Sequence, residues 1–182
     1  MKVLAFAGSM RRDSFNRKLV ALAVEKARGE GAEVELVDLR ELALPLYDGD
    51  VEAEGLPAGA VALRASIAAA NAIIISSPEY NASIPGVLKN AIDWASRPPT
   101  QPFRGRVAGL LGATPGPFAT ARMMPDLRKV LSSLGVFVVP SQLGIARAGE
   151  AFSPEGRLRD PGLERSLEGV VREVLETARK LA

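Results

Sequence analysis

The chain has 182 residues, of which 47% are hydrophobic and 24% charged, with a formal net charge of +2. Size and balance fit one globular domain over residues 1–182 with a full core. Cysteine and histidine are both absent, which excludes disulfides, thiolate metal sites, cysteine nucleophiles, histidine triads and zincin centres.

Chemistry is thereby left to a cofactor, to carboxylates, to lysines or to hydroxyls, and no metal site is expected. The arginines are scattered along the chain, so no nucleic-acid footprint is read. No apolar run approaches the ~20 residues that span a bilayer. The N-terminus enters a strand without a signal-like pattern. No nucleic-acid or membrane partner is expected, and a cytoplasmic location is.

Val3 to Ala7 is an apolar run that stops at Gly8. Ser9, Arg11, Arg12 and Ser14 follow. Asn16 then opens a run at helical spacing, Leu19, Val20, Leu22, Ala23 and Ala27. This reads as strand, tight loop and helix N-terminus, with the helix from Phe15 to Arg28 and stop residues at Gly29 and Gly31. Val34 to Val37 is a short strand. Asp38 at its end suits either a ribose contact or a loop acid and helix cap.

Leu42 to Gly59 reads as a long loop, and a loop of that length covers something. Val61 to Ala70 reads as helix. Ala72 to Ile75 is a β-branched run suited to a central parallel strand. Ile84 to Trp94 is an amphipathic helix with Pro85 in its first turn. Val107 to Ala113 is a fourth strand. Ala119 to Leu134 is helical, with Pro125 implying a kink or a late start. Val136 to Val139 is a fifth strand, Gly144 to Gly162 an irregular connection, and Leu163 to Leu181 a final amphipathic helix.

This alternation predicts an α/β doubly wound sandwich: a five-stranded parallel sheet in the flavodoxin-like order 2-1-3-4-5, with helices on both faces. Ligands in such sheets bind beyond the carboxyl ends of the strands at the switch point, here between strands 1 and 3. Three loops meet there: Gly8–Asn16, Pro78–Ser83 and Thr114–Pro117. The first has one glycine where a pyrophosphate fingerprint has three. Its hydroxyls and Arg11 suit a phosphate monoester, with simple helix capping by Ser14 as the alternative. In the second, Pro78 bends the chain, Tyr80 offers an aromatic face and Asn81 a polar edge. Glu79 is a candidate acid or base, or else a cap or ion-pair partner. Lys89 and Asp93 form an i, i+4 pair. Trp94 is a core or interface residue.

Gly8-Ser9-x-Arg11-x-x-Ser14-x-Asn16, followed by Pro78-Glu79-Tyr80-Asn81-x-Ser83-x-Pro85-Gly86-x-Leu88-Lys89-Asn90-Ala91-x-Asp93-Trp94, resembles the NAD(P)H-dependent FMN reductase family, in particular its quinone and chromate reductases. Pro45-Leu46-Tyr47-Asp48 and Leu127 to Lys129 extend the resemblance over nearly the whole chain. It implies FMN held at the three loops. Ser9, Arg11, Ser14 and Asn16 would bind the phosphate, with Phe15 supporting the loop. Pro78, Glu79, Tyr80 and Asn81 would border the ring, and Thr114 and Gly116 would close the third side. Members often carry Gly-Gly where this chain has Ala119-Thr120, a departure that bears on the pocket mouth.

The activity so implied passes a hydride from NADPH or NADH to FMN and then electrons to a small acceptor: a quinone, free flavin, azo dye or metal oxyanion. The flavin carries the chemistry and no catalytic side chain is required. The family also implies a homodimer or a pair of dimers. Two alternatives are a flavodoxin-type electron carrier, which is usually acidic and lacks arginine in its first loop, and a flavin-binding module without turnover.

Overall fold

The computed structural model describes residues 1–181. Five strands, β1 (Lys2–Ala7), β2 (Glu33–Val37), β3 (Ala72–Ser76), β4 (Val107–Ala113) and β5 (Phe137–Ile145), form one sheet in the order β2-β1-β3-β4-β5. All four pairings are parallel, as the alternation of elements requires. Side chains alternate across each strand. Val3 and Ala5 therefore face α1 (Phe15–Gly29) and α7 (Pro161–Leu181), while Leu4 and Phe6 face α3 (Ala58–Ala69), α4 (Gly86–Ala95) and α5 (Met123–Ser133). The short helices α2 (Gly49–Glu54) and α6 (Ala148–Ala151) complete the set. Among the described residues no helix is long and apolar enough to cross a membrane, and no cluster of metal-ligating side chains occurs.

Several segments differ from the sequence reading, and α5 takes the second of its two alternatives. The long loop after β2 contains α2, capped by Asp48 on Asp50 N–H, and α3 begins at Ala58 rather than Val61. Helix α4 starts at Gly86, with Pro85 as the capping residue. Helix α5 starts late, at Met123, so Pro125 sits in its first turn, where a missing N–H costs nothing, and needs no kink. Strand β5 runs on to Ile145 past a register shift opposite Ala108 and Leu110. Pro140 lies in that bulge. Arg128 repairs it by donating to the carbonyls of Val138 and Val139 and to Gln142 Oε1 at 3.0, 3.0 and 3.1 Å.

The carboxyl ends of the central strands are joined by one side chain. Asn16, in the first turn of α1, is 2% exposed. Its Oδ1 accepts from Ser76 Oγ and from Ala113 N–H, both at 2.9 Å, and its Nδ2 donates to Ala113 C=O at 2.8 Å. Helix α1 is thereby pinned to β3 and β4 at once. Asn16→Ala leaves the Ala113 amide and carbonyl without their partner, a loss of about 2–4 kcal/mol by the cost of buried unsatisfied groups. Denaturant melts of the two proteins measure it, and coincident curves would refute the pin.

Candidate active site

The N-terminus of α1 is built by Ser14, which takes an extended conformation and accepts Asn16 N–H at 3.2 Å. The other amides of the first turn have no intrahelical acceptor and point out of the carboxyl end of the sheet. Ser9 and Ser14 are 3% and 5% exposed. Ser9 Oγ accepts the amide of Arg11 at 3.4 Å. Among the described residues neither hydroxyl donates its own hydrogen. Arg11 is exposed, and its guanidinium pairs with no carboxylate among the described residues. Phe15 is fixed from behind by stacking on Phe152, with centroids 5.6 Å apart.

Ser9, Arg11, Ser14, Phe15 and Asn16 border a narrow cleft of about 60 Å³ together with Pro78, Glu79, Tyr80 and Thr114. The fold thus brings the first, second and third loops together as expected. Asn81 and Gly116 lie beside the cleft rather than on its wall. Asn81 is exposed, with φ +48, in the tight turn closed by the Tyr80–Ser83 bridge. Gly116 N–H turns back to Thr114 Oγ1 at 3.3 Å.

Two expected ligands have other duties for their side chains. The Asn16 Oδ1 is taken up by Ser76 and Ala113 and one Nδ2 hydrogen by Ala113 C=O, so three of its four hydrogen-bonding positions serve β3 and β4. The Glu79 side chain is 5% exposed and is clamped by the third loop. It accepts the backbone N–H groups of Arg122 and Met123 at 2.9 and 3.2 Å and Arg122 Nε at 2.7 Å, and it pairs with Arg122 Nη2. Burial pushes this carboxyl upward. The Arg122 guanidinium and the two amides at the start of α5 outweigh that and hold it below the ordinary carboxylate range. Glu79 is therefore ionised at neutral pH and acts as an ion-pair partner and cap, the alternative its lone position in a turn allowed.

Arg122 is the contact that local sequence did not reveal. Its partner lies 43 residues earlier, and the only signal was its place directly after Ala119-Thr120-Ala121. Ala119 and Thr120 have φ +48 and +61, the region glycine enters freely and a β-branched residue resists. Glycine at both positions would meet that geometry without strain. This chain makes room instead with glycines on the sheet: a Cβ on Gly112 would lie 2.3 Å from Thr120 Oγ1, and one on Gly144 would lie 2.0 Å from Ala119 O.

Asp38 is a loop acid. It accepts Arg40 N–H at 3.0 Å and pairs with Arg17 at 2.7 Å. Lys89 and Asp93 form their i, i+4 pair at 2.8 Å. Trp94 is fully buried and donates to Pro45 C=O at 2.8 Å, which places it in the core rather than at an interface. Asn90 bridges the same carbonyl and Tyr47 N–H, both at 2.8 Å, so the Pro45–Asp48 loop is fastened to α4.

FMN presents a phosphate monoester and a flat ring. The donor set fits it: two buried hydroxyls whose hydrogens go undonated among the described residues, orphan helix amides and an exposed guanidinium border the same cleft as Pro78 and Tyr80.

The family described as NADPH-dependent FMN reductase matches residues 1–150. An NAD(P)H-dependent FMN reductase of Pseudomonas aeruginosa is 44% identical over 164 residues, 88% of this chain and 85% of that protein. A quinone reductase of Escherichia coli is 37% identical over 166 residues, 89% and 87% of the two chains. Among solved structures, the flavoenzyme NAD(P)H:(acceptor) oxidoreductase FerB of Paracoccus denitrificans superposes with a TM-score of 0.85 at 31% identity, covering 98% of this chain and 97% of that one. The chain belongs to the NADPH-dependent FMN reductase family. It is an FMN-dependent oxidoreductase that uses reduced nicotinamide.

Because the Glu79 carboxyl is held below its ordinary value, the strut stabilises the native state above the unfolded carboxylate range, near pH 4.3. That contribution is lost as pH falls through the folded value. Glu79→Gln is expected to cost about 1–2 kcal/mol at pH 7, within the range for charge-assisted bonds. Urea melts at pH 7 and pH 3 test it: the gap between the two proteins narrows at the lower pH, and a gap independent of pH contradicts the ion pair.

Proposed function

We propose that this enzyme anchors the FMN phosphate on Ser9, Arg11, Ser14 and the first-turn amides of α1. The ring then lies between Pro78–Asn81 and Thr114–Gly116, and a small quinone is reduced. The observation that carries this reading is that two buried hydroxyls with hydrogens undonated among the described residues, and the exposed Arg11, border the same cleft as Tyr80. Phe15 supports the anchor from below. Asn16 and Glu79 serve by position: one fixes the helix that aims the donors, the other fixes the two ring-side loops against each other. The quinone is supported by the curated relatives, several of which carry that acceptor in their names.

Bound FMN supplies the redox chemistry, taking a hydride from NADPH or NADH and passing electrons to the acceptor. The protein's part is binding and electrostatics. Arg11 places a fixed positive charge at the phosphate. The amides of α1 present the positive end of its dipole toward the same cleft. No side chain has to move a proton, in keeping with a site that lacks histidine and cysteine and whose one carboxylate is locked in an ion pair. Donor and acceptor share one open face, so they bind in turn. A flavodoxin-type carrier or a silent flavin-binding module would lack steady-state NAD(P)H oxidation, which the isolated protein is expected to show. We place the enzyme in the cytoplasm, where reduced nicotinamide is available.

The assembly we propose is a homodimer, alone or paired. Leu46 is 84% exposed on a loop that Asn90 and Trp94 hold rigid, and a fixed apolar tip of this kind suits contact with a second copy. Light scattering on the eluted protein is expected to give at least twice the 19.2 kDa chain mass. A monomer would exclude the assembly.

Arg11→Ala is expected to weaken FMN by about 1.5–3 kcal/mol, the range for a hydrogen bond to a charged group. Titration of apoprotein followed by flavin fluorescence reads the change. Near-wild-type retention would remove Arg11 from the phosphate.

A further inference from the structure

Phe118 is a large apolar ring left 58% exposed, yet it does not sit on a loose tip. Its carbonyl accepts Ala121 N–H at 2.9 Å. The next two residues hold positive φ, and Thr120 is fully buried against the sheet. The Arg122 guanidinium lies 4.5 Å from the ring centroid. Arg122 is in turn bound by Glu79, a residue of the cleft wall. One face of the ring is therefore backed by a fixed cation, the other is open, and the whole is tied by two contacts to the wall of the FMN cleft.

We infer that Phe118 is a specificity-determining contact for the electron acceptor, with the open face of its ring stacking on a planar quinone at the cleft mouth. The inference rests on the FMN and quinone reading above. A conjugated ring gains from offset stacking on an aromatic face. A ring already held by its backbone and by Arg122 loses little freedom when the quinone arrives. An inorganic oxidant such as ferricyanide gains nothing from a phenyl face. Phe118 thus favours flat aromatic acceptors over inorganic ones, and it does so from the loop in which this chain departs from the usual Gly-Gly pair.

The test uses FMN-loaded wild type, Phe118→Ala and Phe118→Tyr. Calorimetric titration of 1,4-naphthoquinone into the oxidised proteins, with no nicotinamide present, reads binding without turnover. Steady-state rates with naphthoquinone and with ferricyanide read selectivity. Phe118→Ala is expected to raise the quinone Kd and KM about three- to ten-fold, the reach of an aromatic stacking contact. The ratio of quinone to ferricyanide kcat/KM should fall by the same factor, and Phe118→Tyr should restore both. Wild-type quinone affinity in Phe118→Ala overturns the inference. So does an equal loss with both acceptors, or a drop in assembly mass, which would make the ring an assembly contact. Wild-type protein that holds FMN and oxidises NAD(P)H but binds no naphthoquinone also overturns it and leaves the proposed function standing. Wild-type protein that holds no FMN overturns both.

Discussion

Three hydrogen bonds from the Asn16 side chain decide where the cleft is. A parallel sheet leaves the carboxyl ends of its strands with loops going in different directions. Here one amide joins the first turn of α1 to Ser76 on β3 and Ala113 on β4. Ser9 and Ser14 flank that turn, so the same bonds aim their hydroxyls. Because Asn16 is buried, its partners have no water to fall back on, and the geometry is enforced by the cost of leaving them unpaired. The placement of Ser9 and Ser14 on the wall of the cleft follows from this single constraint.

The ring-side end depends on a different constraint. The second and third loops leave adjacent strands, and nothing in a sheet holds such loops together. Glu79 does so by capping α5 and gripping Arg122 at once. A buried carboxylate is costly alone, but this one is matched by two amides and a guanidinium. The result is a stiff mouth carried by charge-assisted bonds rather than by apolar packing. That suits a region that must stay open to solvent while two substrates come and go.

The architecture was legible because it is written in local patterns. The β1 and β3 runs end at Gly8 and at Ser76 and Ser77, α1 starts after Ser14, and the alternation of strands and helices predicts the strand order. The meeting of the three loops followed from that order. Less legible were the duties of individual polar side chains. Asn16 closes the Gly8–Asn16 loop, yet its partners are 60 and 97 residues away. Glu79 and Arg122 are likewise joined only by the fold. Trp94 read equally well as core or interface until Pro45 came to rest against it. The extent of β5 was hidden because Pro140 breaks the ladder and Arg128, on another element, repairs it. Periodicity reports which face is buried; it does not report which distant group a polar atom has found.

Ala119-Thr120 joins these two themes. Two consecutive residues in the left-handed region cost about 1–3 kcal/mol each when neither is glycine, so something must hold them. Thr120 is buried and packs where only glycine at position 112 leaves space, and Ala119 O lies where only glycine at position 144 allows. The strain is thus carried by the sheet, and the loop gains rigidity that glycines at 119 and 120 would lack in proportion to the freedom glycine keeps. A rigid third loop is what keeps Arg122 in reach of Glu79 and keeps Phe118 turned to solvent. Positive φ at Ala119 and Thr120 thus bears on how firmly the third loop is held, while the first loop is pinned separately by Asn16.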